Sequence, residues 1–326
     1  MSPAAVRVTT PSRLHFGMLS FGQSGVRQFG GVGLMIAEPR IRLQITAADR
    51  IEAVGPLAER AAQFARRVSE CLTLTHSAGC RIEVESAPRE HIGLGTGTQL
   101  GLAIAAGLRA LHSLPPASPA ELARLAGRCQ RSSIGTHGFA RGGLLVEAGR
   151  RAAGEPSPLV ARVELLEEWR FLLLVPKRAT GLFGEAERAA FAGIPPIPPA
   201  VTDALAREAL MNMLPAAIEG DFVEFSRSLY HYGKTAGECF AAHQHGAFLD
   251  RRTAELAELM RSLGVEGVGQ SSWGPTLFAA VPSESAGREL AARLAAATDL
   301  GDYDRLVVRP DNAGAKVDVC RSGFPA

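Results

Sequence analysis

The 326 residues carry 35 basic and 33 acidic side chains for a net charge of +2, with 46% hydrophobic and 21% charged residues. That is a soluble globular composition, long enough for two domains with separate cores, and it excludes a disordered chain or an overall electrostatic footprint for nucleic acid. The five cysteines, at 71, 80, 129, 239 and 320, are scattered and lack a C-x-x-C pair, which argues against a disulfide framework or a zinc site. No apolar run approaches the ~18 residues of a membrane span, and the first residues lack a signal-peptide core. The expected setting is therefore the cytoplasm, with no membrane and no nucleic-acid partner. Lysine occurs only at 177, 234 and 316, so cationic ligand contacts fall mostly to arginine guanidinium groups.

Residues 6–10 and 40–47 alternate apolar and polar side chains as half-buried strands do, residues 56–72 read as a helix, and residues 81–85 alternate again. Next comes His91-Ile-Gly-Leu-Gly-Thr-Gly-Thr-Gln-Leu-Gly101, opening into an apolar segment that ends at Leu111. Gly93, Gly95 and Gly97 let backbone N–H groups approach an anion, Thr96 and Thr98 offer hydroxyl donors, and the following helix adds a partial positive charge. The run is neither a Gly-Lys-Ser/Thr loop nor a G-x-G-x-x-G loop, because its glycines alternate.

Residues 98–111 carry apolar side chains on nearly every face and predict a buried central helix. Pro115, Pro116 and Pro119 break it, and Pro119 starts the next helix in its first turn. Residues 144–148 predict a strand, residues 151–158 a polar connection, and residues 169–175 a fully apolar strand. The domain boundary is accordingly set at 160, giving units 1–160 and 161–326. Residues 193–199, with four prolines, predict a stiff loop or arm. Helical patterns follow at 200–219, 221–240 and 248–263, then a glycine-serine loop at 264–275, a strand at 276–281, a helix at 284–297 and strands near 305–309 and 316–320. The whole reads as an α+β chain.

Several segments carry a family resemblance. Thr10-Pro-Ser-Arg-Leu-His-Phe-Gly17, residues 88–103 and Gly267-Val-Gly-Gln-Ser-Ser-Trp-Gly274 are similar to the three motifs of the GHMP kinase superfamily. Arg131-Ser-Ser-Ile-Gly-Thr-His-Gly-Phe139, followed by Gly142-Gly143, makes the chain resemble, within it, the β-ribofuranosylaminobenzene 5′-phosphate synthase family. The resemblance implies a GHMP-kinase-like two-domain fold, with an N-terminal α/β domain bearing the phosphate loop and a ferredoxin-like C-terminal α+β domain. It also implies a decarboxylating ribosyl transfer from phosphoribosyl pyrophosphate to 4-aminobenzoate, at the entry to methanopterin-type one-carbon carriers. Magnesium held by substrate phosphates, no organic cofactor and a homodimer come with it. The alternatives are an ATP-dependent small-molecule kinase and a non-catalytic ligand-binding paralogue. Against the kinase, Ile134-Gly-Thr-His137 stands where sugar and mevalonate kinases carry Ser-Gly-x-Asp, and Arg13 replaces the lysine of their first motif.

The resemblance assigns the diphosphate to Gly93, Gly95, Thr96, Gly97, Thr98 and Gln99. Arg13 and His15 complete that clamp or hold the 5′-phosphate. His137 is the candidate site histidine, the alternative being a structural histidine bonded to a backbone carbonyl, and Arg131 and Ser132 either face the same cleft or, for Arg131, end a helix in solvent. The benzoate carboxylate falls to arginine, to backbone N–H groups, or to Ser271 and Ser272, Gln270 beside them is a further substrate-binding candidate, and Trp273 either stacks on the aromatic ring or caps the loop from the core. His231 and Lys234 are anion or substrate contacts, and Lys177-Arg178 is a cation pair at a loop that could cover phosphate. His243 and His245 share a direction only in a strand, where a helix or loop is expected, so they do not suggest zinc. No carboxylate pair stands out for a metal, whose ligands stay unassigned.

Overall fold

The computed structural model describes residues 5–73, 79–128, 131–151, 156–178 and 193–320. Its frame is a long antiparallel pair, β1 (Ala5–Ser20) and β2 (Phe29–Ala48), in register from Ala5 opposite Thr46 to Ser20 opposite Phe29. The register shifts between Thr10 and Ser12. Because side chains alternate with period two, such a bulge re-aims everything beyond it. Val6 and Val8 pack into the core beneath the first helices, whereas Leu14 and Phe16, of the same parity, join the core that faces the second half of the chain. One strand thereby serves two cores, and Arg13 and His15 turn to the helix side.

The first sheet runs β11-β1-β2-β4-β3, with β5 (Leu144–Glu147) paired to β2 and β6 (Leu159–Val163) to β5; β3 is Glu52–Val54, β4 is Gly79–Ser86 and β11 is Lys316–Cys320. Helices α1 (Ala58–Cys71) and α2 (Thr96–Leu111) cover one face. As its composition predicts, α2 is buried nearly all round; Gly107 admits it to the sheet, since a Cβ there would lie 2.7 Å from Ile45 Cδ1. α3 (Pro119–Leu125) starts with proline at its first position, and Ser118 caps it by accepting the Glu121 N–H. α4 (Ile134–Arg141) follows.

The second sheet, β10-β7-β9-β8, is antiparallel, with β7 at Arg170–Pro176, β8 at Val268–Gln270, β9 at Leu277–Val281 and β10 at Tyr303–Val308. Helices α5 (Pro199–Arg207), α6 (Leu214–Glu219), α7 (Phe222–Glu238) and α8 (Arg251–Ser262) connect β7 to β8, and α9 (Glu284–Ala297) connects β9 to β10. This is the β-α-β-β-α-β order of a ferredoxin-like unit. β7 reads as continuously apolar because both faces are covered: Phe171, Leu173 and Val175 join the core shared with the first sheet, and Leu172 and Leu174 a separate one.

The domain boundary changes. The boundary at 160 falls inside β6, which belongs to the first sheet, and β11 crosses back from the second unit to pair with β1. Of the polar connection at 151–158, residues 152–155 lie outside the described residues. The proline-rich 193–199 segment is an irregular loop over 194–198, as expected, and it is packed rather than projecting: Ile194 and Ile197 are buried against Met18, Phe21, Phe240 and Trp273, and the Ile197 N–H donates to the Phe21 carbonyl at 3.0 Å. Cys71, Cys80, Cys239 and Cys320 are free thiols, and Cys129 lies outside the described residues. Among the described residues no helix is long and apolar enough to cross a membrane.

Candidate active site

A cleft of about 1170 Å³ opens where β1 passes the two glycine loops. The first loop is fixed to β1 by the Arg13 N–H, which donates to the Leu94 carbonyl at 3.0 Å. Gly95, at φ 73°, caps α2, and the Thr98 and Gln99 N–H groups both donate to its carbonyl at 3.0 and 3.1 Å. The N–H groups of Thr96 and Gly97 come ahead of these bonds, at first-turn positions that have no acceptor within a helix, and both residues line the cleft. The Arg13 side chain lies against Gly95, where a Cβ would sit 3.2 Å from Arg13 Nε. An anion at this wall meets oriented N–H groups, the positive end of a buried helix and a guanidinium.

The second loop is stitched to the first by backbone contact. A Cβ on Gly274 would lie 2.2 Å from Gly93 N, and one on Gly93 would lie 2.4 Å from the Ser271 carbonyl oxygen. The Ser271 hydroxyl accepts the His15 N–H at 3.0 Å and donates to the Gly93 carbonyl at 2.6 Å, while Thr276 Oγ1 donates to the Ile92 carbonyl at 2.6 Å. These bonds hold both loops and β1 as one rigid unit.

The same cleft has an aromatic wall. Trp273 meets Phe240 edge-on, with centroids 5.0 Å apart at 87°, and Phe240 stacks on Phe21 at 5.9 Å. Beneath the site, His15 is 3% exposed, and its ring occupies space left by glycine: a Cβ on Gly31 would lie 3.4 Å from His15 Cε1. Burial, aided by the Arg13 charge, holds the His15 imidazole well below the usual histidine range, so it is neutral at pH 7. Glu147, opposite Gly31 in the β2–β5 register, is fully buried and accepts the Ser133 N–H at 2.8 Å. Burial pushes its carboxyl up to about 7 against the opposing pull of bonds from Ser132, Ser133 and Ser157 and the Arg13 charge.

The GHMP kinases N terminal domain family matches residues 57–142, and the GHMP kinases C terminal family matches residues 213–299. A curated relative from Methanothermobacter thermautotrophicus, named beta-ribofuranosylphenol 5′-phosphate synthase, is 30% identical over 294 residues, covering 83% of this chain and 87% of the relative. The chain belongs to the beta-ribofuranosylphenol 5′-phosphate synthase family. A relative of the same name from Archaeoglobus fulgidus is 29% identical over 96% of this chain and 100% of its own length. Among solved structures, homoserine kinase from Cytophaga hutchinsonii matches with a TM-score of 0.66 at 15% identity, covering 97% of this chain and 98% of its own. Mevalonate diphosphate decarboxylase from Staphylococcus aureus matches with a TM-score of 0.64 at 12% identity, covering 97% and 98%. These two likenesses establish the GHMP kinase fold.

The cleft of this synthase-family chain is lined by Arg13, His15, Gly93, Gly95, Thr96, Gly97, Thr98, Arg131, Ser132, Lys234, Gln270, Ser272 and Trp273, so the structure brings together most of the residues singled out from sequence. Others move away. His137 does not line the cleft; its Nε2 is bonded to the Ser157 carbonyl at 2.7 Å and burial lowers its pKa, so the catalytic reading gives way to a structural one. Lys177 donates to the Gly301 carbonyl at 2.8 Å and His231 lies exposed against Tyr230; neither lines the cleft. Gln99 is buried, its amide donating to the Gly135 carbonyl at 2.7 Å, and Ser271 has both its hydroxyl bonds within the loops. Both are braces of the site, not donors to a ligand. Thr96 likewise donates its hydroxyl to the Arg89 carbonyl at 3.0 Å.

Sequence reasoning missed Arg60 and Arg67 on α1, Glu90, and Arg128, whose guanidinium donates to Thr98 Oγ1 at 3.2 Å. No local motif marks them, because α1 and the residues after α3 reach the loop only through tertiary packing. Among the described residues no group of three or more His, Cys, Asp or Glu could hold a metal ion, and Glu90 is the single carboxylate that lines the cleft. A magnesium ion would fit here with one protein carboxylate and substrate phosphates as its ligands, as is common for that ion.

Proposed function

We propose that this chain joins the ribosyl 5′-phosphate group of phosphoribosyl pyrophosphate to the ring of 4-aminobenzoate, releasing carbon dioxide and pyrophosphate. The observation that carries the reading is a cleft lined both by an anion-binding loop and by an aromatic cluster, in a chain of this synthase family. The ring carbon bearing the carboxylate attacks the anomeric carbon as the bond to the diphosphate breaks, and the diphosphate leaves with that electron pair. The bond to the carboxylate then breaks, its pair restores the aromatic ring, and carbon dioxide departs. No oxidant and no net proton transfer are needed, so positioning and charge stabilisation dominate.

In this reading the N–H groups at Thr96 and Gly97 and the Arg13 guanidinium hold the leaving diphosphate. Trp273 and Phe240 bound the ring, and Lys234 faces its carboxylate. His15, neutral, keeps the floor of the site uncharged beneath a developing oxocarbenium ion. Magnesium would neutralise diphosphate charge. A homodimer and a place at the entry to methanopterin-type carriers belong to the same proposal and rest on the resemblance, and a cytoplasmic setting joins them from the sequence composition.

The relatives' name specifies a phenol product, so the acceptor is the finer part of the proposal. The test is to incubate the chain with phosphoribosyl pyrophosphate, magnesium and either 4-aminobenzoate or 4-hydroxybenzoate, following carbon dioxide and the ribosylated product. Release with the amine supports the reading; release with the hydroxy acid alone changes the acceptor. ATP consumption with an alcohol and no carbon dioxide would replace it with a kinase, and no turnover with any of these would point to a binding paralogue.

A further inference from the structure

The loop end of the cleft is strongly cationic, with Arg13, Arg60, Arg67, Arg128 and Arg131 all lining it, yet a carboxylate sits in its mouth. A Cβ on Gly97 would lie 3.1 Å from Glu90 Oε1 and 3.8 Å from an Arg128 guanidinium nitrogen. On its outer side Glu90 Oε1 is 3.8 Å from Arg60 Nε, and the Arg60 guanidinium lies over the Phe64 ring at 4.9 Å. The protein's own anion therefore stands beside the N–H groups that an incoming phosphate would use, between two guanidiniums.

The backbone on either side keeps it there. Arg89 is tied down twice: its carbonyl accepts the Thr96 hydroxyl, and its guanidinium donates to the Pro176 carbonyl of the second sheet. His91 is held at φ 62°, a left-handed conformation that a non-glycine residue adopts only when its surroundings impose it. Fixed flanks keep the Glu90 backbone in place, and the Arg60 ion pair favours the rotamer that sets its carboxylate beside Gly97. A diphosphate at Gly97 would then face a carboxylate within a few ångströms, and two anions at that distance repel strongly in a partly buried cleft. A divalent cation between them turns the repulsion into two attractive contacts, and hard cations of this size take oxygen ligands from carboxylate and phosphate together.

We propose that Glu90 makes diphosphate binding at the 93–98 loop conditional on a divalent cation, which its carboxylate holds against the phosphate oxygens. The proposal rests on the phosphate-loop reading above, but not on the identity of the acceptor. It separates Glu90 from a simple counter-ion of Arg60, because the two roles predict opposite changes when the charge is removed.

The experiment is calorimetric titration of the full chain with inorganic pyrophosphate, with and without magnesium, beside paramagnetic resonance of manganese in the ternary mixture. The unaltered protein should bind pyrophosphate weakly without metal and at least about tenfold more tightly with it. In Glu90→Gln, metal-free pyrophosphate should bind about tenfold more tightly than in the unaltered protein, while the gain from metal falls to about twofold or less and bound manganese loses its protein-dependent signal. Glu90→Asp, with the charge kept, should retain part of the metal gain. The proposal is overturned if Glu90→Gln weakens metal-free binding, the result expected of a residue that only orders arginines, or if it keeps the full metal gain. If the unaltered protein binds no pyrophosphate under either condition, the phosphate-loop reading fails, and the proposal with it. Ribosyl transfer assayed on the same samples reports separately on the proposed reaction.

Discussion

Glu147 has no solvent exposure, and its raised carboxyl ties the stability of the fold to pH. Its folded value of about 7 exceeds the ordinary 4.5, so the native chain holds this proton more tightly than the unfolded chain. The associated stability is fully present below pH 4.5 and is lost as pH rises to about 7, a change of about 3 kcal/mol. His15 and His137, both lowered by burial, contribute with the opposite sign: their stability is present above 6.5 and lost as pH falls. The informative quantity is therefore the difference between Glu147→Gln and the unaltered protein, in which the histidines cancel. Urea unfolding at pH 5 and pH 8 should show the variant gaining about 3 kcal/mol relative to the unaltered chain between the two. Parallel pH profiles would refute the assignment. No sequence signal marked Glu147, since an acidic residue ending an apolar strand looks like a solvated terminus until the neighbouring Ser132–Ser133 turn closes over it. Ser271 and Gln99 fail as ligand contacts for a related reason. A polar side chain beside a glycine run can serve a ligand or the loop itself, and only burial and bond partners tell the two apart.

At the scale of elements, the glycines of the two loops divide by what each missing side chain would touch. Gly274 abuts Gly93 backbone to backbone, so a methyl group there has no flexible neighbour to displace. Gly97 has only the ends of Glu90 and Arg128 beside it and is not in a left-handed conformation. Gly274→Ala should therefore destabilise the chain by about 3 kcal/mol or more in urea unfolding. Gly97→Val should leave the unfolding free energy within about 1 kcal/mol of the unaltered chain, since valine is no poorer than glycine in a helix, yet lose pyrophosphate binding. The reverse pattern would show that Gly97, not Gly274, seals the two loops together. The alternating glycines were legible in the sequence because anion approach and close backbone packing both require them. The bulge near Pro11 was not. Pro11 and, on β2, Pro39 lie within the shift and mark it only once the two strands are paired, and it is this shift that lets β1 point Arg13 and His15 into the cleft.

For the whole molecule, the order of elements was largely readable from periodicity, but the closure of the chain was not. β11 alternates like any edge strand, and nothing in its sequence says that its partner is β1, some three hundred residues earlier. It pairs only with Ala5–Thr9, the half of β1 before the bulge, and Val317 and Val319 remain 38% and 49% exposed. Its removal thus forfeits little apolar burial but leaves β1 with an open row of N–H and C=O groups. The segment just before it works differently. The Gly143 N–H donates to the Asp311 carbonyl at 2.6 Å, the Asp311 N–H to the Met35 carbonyl at 2.8 Å, and the Ala315 N–H to the Phe139 carbonyl at 2.7 Å, clamping the end of α4 to β2. Truncation after Ala315 should keep the fold and the pyrophosphate site while producing concentration-dependent larger species in size-exclusion chromatography, through pairing of the exposed β1 edges. Truncation after Val308 should also release α4 and unfold the first sheet. If the shorter deletion already abolishes pyrophosphate binding, β11 supports the cleft through β1 itself, and the bulge does not insulate the two halves of that strand.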